Sequence, residues 1–207
     1  MFFKTLIVSL FFTAAVVGAP VELEARQACS AVQLVHAAGT GETGLGIVGT
    51  PLAKSLATTS YAVPYSTIAE YVATVQAGAS TTAKYLADQS ARCPDQKFVL
   101  SGYSKGAMVM HGTKLDDSVK SKVISVLVFG DPLRSTTTAA WPINSASVDL
   151  SPKDGNTGTR NSTENVASFC NNGDMFCNPP GTIVPHLAYS TDGSIDAAAK
   201  FAQAASN

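Results

Sequence analysis

Charged side chains are scarce in this 207-residue chain: Asp, Glu, Lys and Arg together make up 14% of it, against roughly a quarter in an average soluble domain. Acidic and basic residues nearly balance, at 15 and 14. No segment concentrates one sign of charge, so nucleic acid is not expected as a partner. The 45% of apolar residues argues against disorder, and the length suits one domain with a full core.

Long apolar runs are missing beyond the N-terminus. Residues 5–21 carry no charge, follow the basic Lys4 and pass into the small residues Gly18 and Ala19. This pattern predicts a signal peptide over residues 1–19, cleaved near 18–20, with a short pro-segment over 20–26. An N-terminal anchor is the alternative interpretation. We therefore expect a secreted, extracellular protein that has no integral membrane association.

The four cysteines contain no CxxC pair, which disfavours a metal site. Thiols of a secreted protein are oxidised, so two disulfides are expected. Cys170 and Cys177 are close enough in sequence for a local bridge, which leaves Cys29 to pair with Cys93. A sequon begins at Asn161, where a glycan would be attached if the site is used.

Apolar, β-branched segments alternate with helical patterns along the chain. Continuous apolar strands of this kind indicate a parallel sheet that is covered on both faces. Strands are expected at 31–36, 61–66, 97–101, 123–129 and 166–169, and helices at 48–57, 68–90, 104–115 and 194–205. Residues 131–165 are rich in Ser, Thr, Asn, Gly and Pro and are expected to be a loop that shapes a binding surface. The prediction is a three-layer α/β sandwich with about five strands.

The segment 102–106 reads GYSKG, which is the G-x-S-x-G pattern of a nucleophilic serine. It lies where that pattern requires it, between a predicted strand and a predicted helix. The sharp turn exposes Oγ of Ser104, and the helix N-terminus stabilises negative charge beside it. A glycine-rich turn with only a structural role is the alternative.

A serine nucleophile needs a base, and the chain has three histidines. His36 precedes the serine on a strand, and His111 lies about 10 Å farther along the serine's own helix, out of reach. His186 is expected in a loop after the last strand. Only His186 allows the chain order serine, acid, histidine of α/β-hydrolases.

The acid that orients the histidine should lie between the serine and His186. Asp116 and Asp117 fall at a helix end and are expected to be solvated. Asp131 ends a strand, whereas Asp174 lies in the loop that a Cys170–Cys177 bridge would restrain. Because the acid must hold the imidazole in one orientation, we favour Asp174 over Asp131.

Four motifs in this order resemble the cutinase family of small secreted serine esterases. They read GTGETG at 39–44, GYSKGA at 102–107, CNNGDMFC at 170–177 and PHLAY at 185–189. The resemblance covers essentially the whole mature chain and implies a lidless single-domain α/β-hydrolase over 27–207 with two disulfides.

The resemblance also implies the site and its chemistry. The triad falls on Ser104, Asp174 and His186, and the oxyanion hole on the backbone N–H groups of Thr40 and Lys105, with the Thr40 hydroxyl as a further donor. No metal or cofactor is needed, and the expected form is a monomer. The implied substrates are cutin polyester and short- to medium-chain acyl esters. An acetylxylan-type esterase is the nearer alternative, and a catalytically weak surface-binding or elicitor protein is the other.

Two residues depart from the family pattern. Lys105 replaces the Gln that commonly follows the serine, and Ala38 replaces an Arg in the first loop. The backbone donor of Lys105 should survive any side chain. Its cation is expected to favour a neutral His186 and to suit an anionic surface or substrate. Ala38 suggests that a buried structural pair is missing.

Overall fold

The computed structural model describes residues 29–136, 140–157, 160–161 and 163–205. The predicted signal peptide and pro-segment lie outside the described residues. The strands are β1 (Val32–Ala37), β2 (Thr59–Ala62), β3 (Lys97–Tyr103), β4 (Val123–Phe129), β5 (Ala146–Leu150) and β6 (Glu164–Phe169). The helices are α1 (Gly46–Leu56), α2 (Val72–Arg92), α3 (Lys105–Gly112), α4 (Asp117–Lys120), α5 (Ile183–His186) and α6 (Ser194–Ala205), with a 3-10 turn at Pro152–Asp154.

The six strands form one parallel sheet in the order β2-β1-β3-β4-β6-β5. Strands β1, β3 and β4 are buried along almost their whole length because helices cover both faces. Helices α1 and α6 pack on one face, and α2, α3 and α4 pack on the other. This is the predicted single-domain, three-layer α/β-hydrolase architecture. None of the helices in the described part of the chain is long and apolar enough to cross a membrane.

The sheet has one strand more than the sequence analysis expected. Strand β5 lies within residues 131–165, which we expected to be loop. It is an edge strand whose residues are mostly exposed. Apolar and polar residues alternate along it only in part, so its composition resembles that of the flanking loops. A second difference concerns His186, which ends the one-turn helix α5 rather than lying in a loop.

The topology brings the candidate residues together because the carboxyl ends of parallel strands meet at one edge of a sheet. Ser104 follows β3, residues 38–45 follow β1, and residues 170–177 follow β6. These segments are far apart in sequence. Their proximity follows from strand order alone.

Candidate active site

Ser104 occupies a strained turn between β3 and α3. Its φ of 52° lies in the left-handed region, which residues other than glycine seldom adopt. A Cβ on Gly102 would lie 2.2 Å from the carbonyl oxygen of Gly106, and one on Gly106 would lie 1.9 Å from that of Ala37. Both glycines of the motif are therefore required sterically.

His186 and Asp174 form a buried hydrogen-bonded pair. Nδ1 of His186 lies 2.8 Å from Oδ2 of Asp174, and the two side chains are 4% and 0% exposed. The bond to the carboxylate fixes Nδ1 as the donor nitrogen and leaves Nε2 for proton transfer. Both residues were predicted from the sequence, and the fold brings them together.

The carboxylate of Asp174 is held as an anion by three donors. Burial by itself raises its pKa, but hydrogen bonds from His186, from the Tyr189 hydroxyl and from the N–H of Phe176 outweigh burial. The pKa of Asp174 is consequently lowered from its ordinary value. An ionised, fully bonded carboxylate is what an orienting acid requires.

Tyr189 contacts Asp174 directly, although no role was assigned to it from the sequence. Its hydroxyl donates to Oδ2 of Asp174 at 2.6 Å, accepts from the N–H of Asn171 at 3.1 Å and lies 3.5 Å from Sγ of Cys177. Burial, then the bond to Asp174, raises the pKa of Tyr189, so the hydroxyl stays protonated. The only available signal was its place in the PHLAY motif.

Aromatic rings and one glycine confine the imidazole of His186. The rings of Tyr103 and Phe176 lie with centroids 5.1 Å and 4.5 Å from it. A Cβ on Gly130, which has a φ of 57°, would lie 2.5 Å from Cε1 of His186. The ring therefore has little freedom to move away from Asp174.

The other two histidines have separate partners. Nε2 of His111 lies 2.8 Å from Oδ2 of Asp131, and its Nδ1 lies 2.9 Å from the carbonyl oxygen of Ala140. Nδ1 of His36 lies 3.0 Å from Oγ of Ser101, and burial lowers the pKa of His36 to about 3. Asp131, the second candidate acid, is thus engaged with a histidine other than His186.

Ser104, His186 and Thr40 line one cavity of about 240 Å³. The hydroxyl of Thr40 lies 2.9 Å from that of Tyr71, which also lines the cavity. Lys105 begins α3, so its backbone N–H lies at the helix N-terminus beside Ser104. A larger cleft of about 630 Å³ between α6 and residues 150–157 contains none of the candidate catalytic residues.

The side chain of Lys105 contradicts the expectation that it presents a cation to the site surface. It is completely buried, and its ammonium donates to backbone carbonyl oxygens of the segment between β2 and α2. Burial lowers its pKa, and the neighbouring charge of Glu70 opposes that effect. A buried ammonium cannot bind an anionic surface, so that interpretation was wrong.

Both expected disulfides are present, Cys29–Cys93 and Cys170–Cys177. Asn161, the glycosylation candidate, is exposed, and its use remains a prediction. Within the described ranges, no group of three or more His, Cys, Asp or Glu side chains is arranged to hold a metal ion.

Large exposed apolar side chains concentrate around the cavity. Four of the eight found in the described part of the chain line it directly: Ile47, Phe176, Ile183 and Leu187. The remaining four are adjacent in sequence to cavity-lining residues or lie within three positions of them: Ile68, Val72, Met175 and Val184. We call these eight residues the apolar rim.

Sequence comparison places the chain among known proteins. The family model described as Cutinase matches residues 28–205. A cutinase of Coprinopsis cinerea, CUT1, is 34% identical over 93% of this chain and 94% of its own length. A cutinase of Kineococcus radiotolerans is 33% identical over 84% of this chain, which spans 61% of that longer relative.

Solved structures agree with the sequence matches. A Trichoderma reesei cutinase in complex with a phosphonate inhibitor superposes with a TM-score of 0.66 at 26% identity, covering 86% of this chain and 78% of that one. An acetyl xylan esterase superposes with a TM-score of 0.69 at 19% identity, covering 87% and 100%. The identity to the esterase is low enough that the likeness concerns the fold only. The family model and the relatives together identify this chain as a member of the cutinase family.

Proposed function

We propose that this cutinase-family ester hydrolase acts through an acyl-enzyme, with Ser104 as nucleophile, His186 as general base and acid, and Asp174 as the orienting acid. The observation that carries the proposal is the buried 2.8 Å hydrogen bond between His186 and Asp174, in a cavity shared with the strained Ser104 turn. Nucleophile, base and orienter are the three parts that acyl transfer by serine requires.

The proposed reaction has two halves. Oγ of Ser104 attacks the ester carbonyl carbon while its proton passes to Nε2 of His186. The tetrahedral intermediate collapses, and the alcohol leaves with that proton, so Ser104 is acylated. Water then attacks the acyl-enzyme with His186 as base, which releases the acid and regenerates Ser104. Throughout, Asp174 stabilises the imidazolium through Nδ1.

We assign the oxyanion hole to the backbone N–H groups of Thr40 and Lys105, with the Thr40 hydroxyl as a third donor. Thr40 borders the cavity, and Lys105 directly follows the nucleophile at the start of α3. Preorganised donors of this kind usually contribute the largest single part of catalysis in acyl transfer.

The apolar rim favours a water-insoluble polyester or an acyl ester as the substrate, and cutin is the natural substrate that the family resemblance implies. When exposed apolar side chains around a cavity contact an apolar surface, the free energy falls because both surfaces leave water. Acetylated xylan is a polar polysaccharide and would gain little from such contacts. The predicted signal peptide and the two disulfides support a secreted enzyme that acts outside the cell.

The decisive experiment compares wild type with Ser104→Ala on a p-nitrophenyl ester series from acetate to palmitate, on cutin and on acetylated xylan. We expect the wild type to cleave the esters and cutin and to be labelled by an organophosphonate. Ser104→Ala should fold, escape labelling and lose on the order of 10⁴-fold or more in activity. Cleavage of acetylated xylan without activity on medium-chain esters would redirect the proposal to an acetylxylan esterase. An unlabelled, inactive wild type would favour a binding protein.

A further inference from the structure

We propose that the side chain of Lys105 is a positioning residue of the oxyanion hole: it fixes residues 66–71, and this segment holds Thr40 in place. The inference rests on the proposed function, because it assumes that Thr40 and the Lys105 N–H stabilise the oxyanion. Lys105 would then act in two ways: its backbone N–H is one oxyanion donor, and its side chain positions Thr40, the other donor.

The ammonium of Lys105 has a complete set of partners. It donates to the carbonyl oxygens of every second residue in one short stretch, Ser66, Ile68 and Glu70. Nζ lies 2.9 Å from the oxygen of Ser66 and 2.8 Å from that of Glu70. The rings of Tyr65 and Tyr71 lie with centroids 5.6 Å and 5.2 Å from Nζ, within range for cation–π attraction. A buried ammonium is stable only when bonded in this way.

The segment that Lys105 binds has no helix or strand to fix it. Residues 63–71 connect β2 to α2 without forming a helix or strand, so no regular ladder of backbone hydrogen bonds supplies partners for their carbonyl groups. A flexible lysine that donates three hydrogen bonds fixes such a segment at several points at once. The Gln that commonly follows the serine in the family could donate only two from its side-chain amide.

The same segment is bonded to the loop that carries Thr40. The N–H of Gly41 donates to the carbonyl oxygen of Thr67 at 2.9 Å, and the Thr67 hydroxyl donates to that of Glu42 at 2.8 Å. The hydroxyls of Tyr71 and Thr40 lie 2.9 Å apart. Two routes therefore link Lys105 to Thr40. In one, Tyr71 contacts both residues; in the other, the backbone bound by Lys105 continues to Thr67, which bonds the neighbours of Thr40.

Small displacements matter at this site. Catalytic groups must be held within about 0.5 Å of their productive position. Loss of one oxyanion donor lowers kcat by roughly 10²- to 10³-fold in serine hydrolases. Displacing a donor should cost less than deleting it. The loss should fall on kcat because the oxyanion is present in the tetrahedral intermediate and its flanking transition states but absent from the bound ester.

The first test compares Lys105→Met with Lys122→Met. Nζ of Lys122 donates to the carbonyl oxygen of Ser90 at 3.0 Å, so the control also loses a lysine bonded to backbone, but away from the cavity. Active sites are counted by stoichiometric phosphonate labelling, so kcat refers only to folded enzyme. We expect Lys105→Met to lower kcat about 10- to 100-fold with KM changed less than about threefold. Lys122→Met should keep kcat within about twofold.

The second test asks whether Lys105 acts through Tyr71. Tyr71→Phe keeps the ring beside the ammonium and removes only the hydroxyl that contacts Thr40. If both residues serve the same donor, the double variant should lose at most about twofold more kcat than the worse single variant. Independent losses that multiply, or a Lys105→Met enzyme with wild-type kcat, overturn the inference.

A folding failure does not leave the question open. If Lys105→Met does not fold, Lys105→Gln replaces it in both comparisons, because the amide retains two of the three donors. An intermediate loss of kcat supports the inference, and an unchanged kcat rejects it. These results remain distinct from failure of the proposed function, in which wild type itself would be neither labelled nor active and Ser104→Ala would change nothing.

Discussion

Tyr189 and His186 donate hydrogen bonds to the same oxygen of Asp174, at 2.6 Å and 2.8 Å. The second carboxylate oxygen accepts from the N–H of Phe176 at 2.9 Å. Asp174 is thereby fixed from three directions, two of which do not involve the histidine. Two donors besides His186 therefore hold this carboxylate in place, which suits the orienting role that we propose for it.

The first prediction concerns Tyr189→Phe and the pH dependence of stability. Because the folded pKa of Asp174 is lowered, its ionised form stabilises the fold above its ordinary value of 3.8, and that stability is lost as pH falls through the folded pKa. Removing one donor should lower the free energy of unfolding by about 2 kcal/mol at neutral pH. The difference between variant and wild type should shrink as the pH falls below 3.8 and Asp174 takes up a proton.

Chemical denaturation at a series of pH values measures this difference directly. Wild type and Tyr189→Phe are compared at the same salt concentration, so that the one hydroxyl group is the only difference between the two samples. A difference that stays constant from acid to neutral pH would show that the Tyr189 hydroxyl does not act on the charge of Asp174.

The second prediction separates the two buried histidine–aspartate pairs. Asp174→Asn should fold and lose roughly 10³- to 10⁴-fold in kcat, because an amide favours the wrong tautomer of His186. Asp131→Asn should leave kcat within about threefold and lower stability instead, since Asp131 bonds His111. The measurement is kcat per labelled site together with thermal unfolding. The opposite ranking would assign the acid to residue 131.

The sequence predicted the parts of this protein whose signals are local. The apolar run of β4 and the closing helix α6 were located to the residue, and the G-x-S-x-G turn was recognised because steric demands impose glycine on both sides of the serine. His186 and Asp174 followed from chain order and from the small disulfide. The first three features are each encoded within a few residues, whereas the choice of His186 and Asp174 used the order of residues along the chain.

Features that depend on distant partners could not be predicted. Strand β5 forms because β6 offers a partner edge, although its own sequence resembles loop. We expected Lys105 to be a surface cation, because nothing near it in sequence indicates that three carbonyl groups of the segment preceding α2 will bind its ammonium. The hydrogen bonds of Tyr71 to Thr40 and of Tyr189 to Asp174 likewise join segments that are distant in sequence.

The third prediction concerns Gly130→Ala. A Cβ at this position would lie 2.5 Å from Cε1 of His186, so the imidazole must shift away from its place beside Asp174. Gly155→Ala is the matched control, because Gly155 also has a positive φ but no atom within 4 Å of the added Cβ. Both variants should lose about 1–2 kcal/mol of stability through the left-handed backbone.

Turnover should distinguish the two glycine variants. We expect Gly130→Ala to lower kcat at least tenfold, because geometric errors of about 1 Å in a catalytic group can cost up to a hundredfold. Gly155→Ala should retain wild-type kcat per labelled site. Equal turnover in both would show that the space beside His186 is not under steric constraint.

The last prediction compares the two disulfides. Cys170–Cys177 closes a short loop that carries Asp174, and Sγ of Cys177 lies 3.5 Å from the Tyr189 hydroxyl that also bonds Asp174. Replacing both cysteines by Ala should lower kcat by more than the loss of folded protein explains. In contrast, Cys29–Cys93 closes a loop with a sequence separation of 64 and precedes the amino ends of β1 and β3, at the sheet edge opposite to residues 170–177. Its removal should cost roughly 4 kcal/mol in stability, against about 2–3 kcal/mol for the short loop.

Thermal unfolding and kcat per labelled site, measured on both double variants well below their melting temperatures, decide between the two roles. The short bridge should affect turnover more than stability, because it restrains the carboxylate that orients His186. The long bridge should affect stability more than turnover, because it restricts the unfolded chain without touching the cavity. Equal losses of kcat in the two variants would mean that the short disulfide has no special part in holding Asp174.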